Sequence, residues 1–373
     1  MSNPIAHLFI RFSAVGDLTF GDHPLCVGFG AHSRFRNMPP SYPFEHVQNE
    51  LREADILFGN LECALSGTGV RANRLSSAQM RGDADLVQAL LSASFNIVNL
   101  ANNHSMHHGK EPFLETVEIL RTHDIGYCGL NLGDPQTSQP ALIELKGIKV
   151  GFLGYSLRPR QHFDYAPLYA EGNPDVMEKE VRTLKSSVDV VVVSLHWGDE
   201  FIDRASPQEI ALARNIVDSG ADLIIGHHPH VLRGIENYKT GVIAYSLGNF
   251  VCDMIWLDRL RESLIFSCDI YKNGIRNVRL TPVYINDDYQ PVKLDEGKGD
   301  ALLERIQQLS MGLEQEDLSN LEEKMQKYQK DADHILQVFR QASHRYFLSR
   351  MHKYSFPILL QQIGGYVWRR TGL

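Results

Sequence analysis

Val190-Val191-Val192-Val193-Ser194-Leu195-His196-Trp197-Gly198 is the stretch that decides the fold. Its apolar run is too short for a buried helix and rich in β-branched residues, the pattern of a strand covered on both faces. It ends on His196, so an imidazole arrives at the carboxyl end of a buried strand, where open α/β sheets place their sites. The same layout recurs elsewhere in the chain. Leu223-Ile224-Ile225 precedes Gly226-His227-His228-Pro229-His230, and Ile97-Val98-Asn99-Leu100 precedes Ala101-Asn102-Asn103-His104-Ser105. Residues 8–15 run into Gly16-Asp17, and Ile56-Leu57-Phe58 leads to Asn60-Leu61-Glu62.

Helical patterns separate these strands. The spacing predicts helices over 44–53, 83–91, 112–122, 175–185 and 207–219, the last stopped by Gly220. Lys146-Gly147 and Asn273-Gly274 read as hairpin turns, and 242–247 as one more strand. Alternation of this kind predicts a layered α/β domain over residues 1–290. After about Asp300 the strand signals stop, so 291–373 is expected to be a helical C-terminal extension. That extension is acidic over 314–333. From His334 onward it has no Asp or Glu, against six Arg and Lys interleaved with aromatic residues. Aromatics packed on the main domain are the expectation, with peripheral contact to an anionic membrane surface as the alternative.

Composition excludes several classes. A formal net charge of −8 argues against nucleic acid as the main partner. The five cysteines are odd in number and lack Cys-x-x-Cys spacing, so buried free thiols are expected and a disulfide framework is not. The first residues lack the basic and apolar segments of a secretion signal, and no apolar run reaches the roughly 18 residues of a membrane span. A cytoplasmic protein is the expectation. Neither a Gly-x-x-x-x-Gly-Lys loop nor a Gly-x-Ser-x-Gly elbow is present, which disfavours those routes to nucleotide and ester hydrolysis.

The strand-end residues do fit a metal-dependent hydrolase. Asp17, Glu62, Asn103, His196, His228 and His230 supply hard oxygens and imidazoles, a mixture that suits one or two divalent ions of Mn, Fe or Zn. Glu62 is able to bridge two cations, and His228 and His230 point the same way if the segment is extended. His227 then faces away and is expected behind the ligands. Because Asn103 and His104 are adjacent, they do not easily face one ion. Asn103 is therefore read as the ligand and His104 as the residue that protonates the leaving group or steadies its charge. Trp197 and Phe250 are read as walls that exclude water.

These segments resemble the poly-γ-glutamate capsule-synthesis (CapA-like) family, a branch of the calcineurin-like metallophosphoesterases. The matching stretches are Val15-Gly16-Asp17, Gly59-Asn60-Leu61-Glu62-Cys63, Asn99 to Ser105, Ser194 to Glu200, Gly226 to Val231 and Tyr245 to Val251. The resemblance implies a four-layer α/β/β/α sandwich, the same six metal positions, and His104 at the catalytic histidine. It also implies that Arg81 holds an anionic group of a small-molecule or polymer substrate. As in that branch, the first motif reads Asp17-Leu18-Thr19 where other superfamily members carry Asp-x-His, which leaves one metal position a ligand short. Asp22 stands where the branch commonly has arginine, and His107 where it commonly has aspartate. His107 and His23 are read as surface or supporting histidines, with extra ligation as the alternative. The expected activity is phosphoester hydrolysis linked to capsule or poly-γ-glutamate biosynthesis. A γ-glutamyl amide hydrolase or transferase, and a non-catalytic accessory protein for polymer synthesis, are the alternatives.

Overall fold

Alternation along the valine strand sets the layers. In the computed structural model, Val190 and Val192 enter a core between two sheets, while Val191 and Val193 enter a second core under helices. Described are residues 8–371 apart from 72, 132, 315 and 317, and the side chains of 314 and 365–371 are also outside that set. The first residues of the chain, and the side chains of Tyr366, Trp368, Arg369 and Arg370, therefore lie outside the described residues.

The valine strand, Val190–His196, belongs to a six-stranded sheet. It lies between the parallel strands Ile148–Ser156 and Leu223–His227. Facing it is an eight-stranded sheet centred on Ile10–Leu18, which pairs in parallel with Ile56–Leu61 and antiparallel with Glu262–Tyr271. Phe12, Ala14, Ile56 and Phe58 of this sheet meet Phe152, Val192 and Ile225 of the other in the central core. Helices close both outer faces. Pro174–Lys185 and Pro207–Asp218 bury Met177, Val181, Ile210 and Ala213 against the six-stranded sheet. Lys110–Thr122 buries Phe113 and Leu120 against the eight-stranded one. This is the expected four-layer α/β/β/α sandwich.

Local chemistry explains where the helices start. Asn173 caps Pro174–Lys185 by accepting from the Val176 N–H. Ser206 and Glu209 form a reciprocal capping box on Pro207–Asp218. The helix expected over 44–53 is shorter, Gln48–Arg52, preceded by a 3-10 turn at Tyr42–Phe44. Phe44 and Val47 both reach the core, and Val47 takes φ −132°, which separates the two turns. The strand expected over 242–247 stops at Ala244.

Glu296–Glu314 sends Leu302 and Ile306 into the core between the sheets. Leu321–Arg350 then crosses the domain. It places Phe339 against Val231 and Met254, and stacks it on Phe201 with ring centroids 4.7 Å apart. Phe347, Tyr354 and Ile358 pack on Val27, and the Tyr354 hydroxyl donates to the Leu25 carbonyl at 2.6 Å. The buried aromatics of the extension thus pack on the domain, while Phe356, Leu360 and Ile363 stay on the surface. No helix among the described residues is long and apolar enough to cross a membrane. All five cysteines are buried free thiols.

Candidate metal centre

The two sheets bring their strand ends together, and a bulge aims the first carboxylate. Ala14 pairs with Phe58 and Asp17 with Asn60, so Ile10–Leu18 uses three residues where its neighbour uses two. Strict alternation from Phe12 and Ala14 would turn Gly16 toward the opposite sheet. The extra residue turns Asp17 there instead. Asp17 is paired on its other side with Asn249, and its N–H donates to the Gly248 carbonyl at 3.0 Å. Room for that approach depends on Gly16, because a Cβ there would lie 2.0 Å from the Gly248 oxygen. Gly16→Ala is expected to cost about 3 kcal/mol, the upper part of the usual overpacking range, because the obstacle is backbone. Denaturant unfolding measures it, and an unchanged midpoint would contradict the close packing.

Six predicted residues converge here, all buried. His196 Nε2 lies 2.7 Å from Asn103 Oδ1 and 3.3 Å from Glu62 Oε1. Glu62, His228 and His230 each offer a ligand atom within 4.8 Å of the others. His230 Nδ1 is 3.4 Å from Asp17 Oδ2, and the His228 N–H donates to that same oxygen at 3.2 Å. Glu62 thus approaches ligands from both sheets. His228 and His230 are not extended, contrary to the expectation. Their φ values are 93° and 58°, in the left-handed region, which costs about 1–3 kcal/mol per residue and clusters at functional sites. The turn, not strand alternation, brings their rings to 5.6 Å. His227 faces inward with Leu223 and Ile225, and its Nδ1 reaches within 3.3 Å of Asp17 Oδ1.

Asparagines hold this set, and the sequence reading gave them no role. Asn60 donates to Asp17 Oδ1 at 2.8 Å, and Asn249 Oδ1 is 2.9 Å from His230 Nδ1. Asn102 accepts from the N–H groups of His104 and Ser105 and donates to the Leu61 carbonyl, fixing the turn that carries Asn103 and His104. Asn102 adjoins Asn103 and Asn60 precedes Glu62 by two residues, whereas Asn249 adjoins none of the candidate ligands.

Burial and like charge perturb the acids. Glu62 is pushed well above the usual carboxylate range by burial and by the nearby Asp17 carboxylate. Burial also opposes ionisation of Asp17, but contacts to His227 and His230 outweigh it and hold its carboxyl low. For His230, burial disfavours the cation, yet Glu62 and Asp17 push it up to about 10. Burial lowers His196 and His228. Both carboxylate oxygens of Glu62 and both ring nitrogens of His228 are buried without a hydrogen-bond partner among the described residues. Polar atoms left this way cost several kcal/mol between them, and a divalent cation would satisfy them together. The residues fit a metal.

A cavity of about 760 Å³ opens beside the centre, with His104, His230 and Glu200 in its wall. The helical extension forms another wall through Arg340, Ser343 and Phe347. Arg81, expected to hold an anionic substrate group, is not in this wall. It sits in the short strand Arg81–Gly82, and its guanidinium donates to the carbonyls of Ser66 and Thr68. Trp197 and Phe250 are not walls either. Trp197 follows His196, so alternation turns it outward, where it stacks on Tyr245 at 5.7 Å. Phe250 packs against Phe44 under the outer helices. His23 Nδ1 accepts from the Leu25 N–H.

The profile of the family described as bacterial capsule synthesis protein PGA_cap matches residues 11–254. Capsule biosynthesis protein CapA of Bacillus anthracis is 30% identical over 287 residues, 74% of this chain and 68% of that protein. PGA biosynthesis protein CapA of Bacillus subtilis is 30% identical over 269 residues, 70% of each chain. A probable polyglutamine synthesis accessory protein of Mycobacterium tuberculosis is 27% identical over 214 residues, 53% of this chain and 56% of that protein. Among solved structures, the sulfate thiohydrolase SoxB of Thermus thermophilus aligns with TM-score 0.46 and 16% identity, covering 79% of this chain and 60% of that one.

Proposed function

The chain belongs to the bacterial capsule synthesis protein family, and on that premise we propose that it is a metal-dependent phosphoester hydrolase working in capsule or poly-γ-glutamate biosynthesis. One observation carries the reading. Glu62 and His228 are buried with unpartnered ligand atoms, beside a cavity whose wall holds His104.

Asp17, Glu62, Asn103, His196, His228 and His230 would hold one or two ions of Mn, Fe or Zn, with Glu62 between the two halves of the set. Bound there, the metal supplies Lewis-acid charge stabilisation and lowers the pKa of water. The protein's own residues do the rest. Asn60, Asn249 and His227 orient Asp17 and His230. His104 is pushed low by burial and by His162, His196 and His230, so its resting imidazole is neutral. A neutral ring can donate one N–H to a leaving oxygen, and an anionic substrate in the cavity would favour its protonation.

Arg340 is the one lysine or arginine among the described residues lining the cavity, and it would hold a second anionic group of the substrate. Arg340→Ala is expected to raise KM for an anionic phosphoester about tenfold and to leave kcat nearly unchanged, the size of one charged hydrogen bond. Equal KM values in the two proteins would remove Arg340 from the substrate site.

The function is tested by screening phosphomonoesters, phosphodiesters and γ-linked glutamate peptides against the metal-loaded protein. Turnover of an ester class supports the reading, and turnover of the peptides alone selects an amidase. The relative named as an accessory protein favours a second, non-catalytic reading. In that case His104→Ala leaves cellular polymer synthesis intact, whereas loss of His228 destabilises the fold.

A further inference from the structure

At the rim of the same cavity stands a second group of ligands that contains no carboxylate. His104, His107 and His162 each offer a ring nitrogen within 4.8 Å of the other two. The Nδ1 atoms of His104 and His107 are 3.1 Å apart, and the His107 and His162 ring centroids 3.6 Å. Two nitrogens on one tetrahedral zinc ion, each at about 2.0–2.1 Å, lie about 3.3 Å apart. The observed spacing is close to that of a ligand pair.

The surroundings match such use. Gln79 Nε2 lies 2.9 Å from His107 Nε2, which holds the far edge of that ring and leaves Nδ1 toward His104. An amide can present either its NH2 or its carbonyl by turning over, so Gln79 is able to support the tautomer that frees His107 Nδ1 for a metal. His108 is excluded from the group because its Nε2 is 2.8 Å from the Gln79 carbonyl oxygen. His162 is exposed, which gives an ion a route from solvent, and all three rings line the cavity.

We propose that His104, His107 and His162 form a second metal site, separate from the carboxylate centre, for a borderline transition ion such as Zn, Co(II), Ni or Cu(II). Three neutral imidazoles without an oxygen ligand exclude Mg and Ca as occupants. They also leave the ion's charge uncompensated, so its remaining position, open to the cavity, takes water or an anion. The site does not depend on whether the chain hydrolyses anything. Its occupation would hold the Nδ1 lone pair of His104 and prevent that ring from taking a second proton there.

The experiment is equilibrium dialysis of the whole chain against Zn(II), with Co(II) absorption as a second readout. Wild type, His162→Ala, His107→Gln and Glu62→Gln are compared, and circular dichroism verifies folding. The expected result is one zinc equivalent that both histidine variants lose, or bind at least tenfold more weakly, and that Glu62→Gln keeps. Cobalt in that site should show the intense visible bands of tetrahedral nitrogen coordination, absent in His162→Ala. Equal stoichiometry and affinity in wild type and His162→Ala would overturn the proposal. So would loss of every bound equivalent in Glu62→Gln, with none that depends on His162.

Discussion

Glu62→Gln is expected to reduce bound metal by at least one equivalent and turnover by about a thousandfold or more, roughly 4 kcal/mol of transition-state stabilisation. The substitution keeps the side chain's shape and removes its charge, so it separates electrostatics from packing. Its effect on stability should change sign with metal. Without metal, the wild type holds Glu62 buried beside Asp17, and its carboxyl titrates well above the usual range. A carboxyl raised in the folded state favours folding at low pH, and that contribution is lost as pH climbs past the ordinary carboxylate range. The metal-free wild type should therefore lose stability with rising pH more steeply than Glu62→Gln, and at neutral pH the variant should melt higher. With metal the order reverses, because a ligand present at a thousand times its Kd adds about 4 kcal/mol to the protein that binds it. Melting curves in chelator and in saturating Mn or Zn measure both halves. A variant that melts with the wild type in both media would show that Glu62 serves packing alone.

His104→Ala should lower kcat by about a hundred- to ten-thousandfold, the usual contribution of a positioned proton donor. Metal content at the carboxylate centre should not change, since Asn103 and not His104 pairs with His196 there. This distinguishes the residue from a ligand of the carboxylate centre, whose loss removes that centre's metal and turnover together. The measurement is kcat with elemental analysis on the same preparation. Full turnover in His104→Ala would exclude it from the chemistry and strengthen the accessory reading.

Much of this was legible in the chain. Four valines in a row require cover on both faces, so Val190–His196 had to be an inner strand with helices outside it. The pattern over 207–219, stopped by Gly220, was readable as the next helix, found at Pro207–Asp218. The candidate ligand residues were readable because each follows a buried apolar run. Trp197 was misread because its neighbour His196 faces the site, and alternation then sends the indole outward to Tyr245. Arg81 lies outside the cavity wall, and family position does not reveal that the Ser66 and Thr68 carbonyls accept from its guanidinium.

The sequence by itself determined the layered architecture, the strands that end on candidate ligand residues, and the chemical type of the candidate donor set. Periodicity and composition act within a few residues, and these features are local. Tertiary structure alone decided how the donors converge. The bulge that turns Asp17 inward exists because its strand must pair with Asn60 on one side and Asn249 on the other. His228 and His230 hold left-handed backbone where Asp17 and Asn249, far away in the chain, supply their partners. Arg340, which stands in another wall of the cavity, lies on a helix and more than a hundred residues beyond His230. Each depends on pairing between segments distant in sequence, which no local pattern encodes.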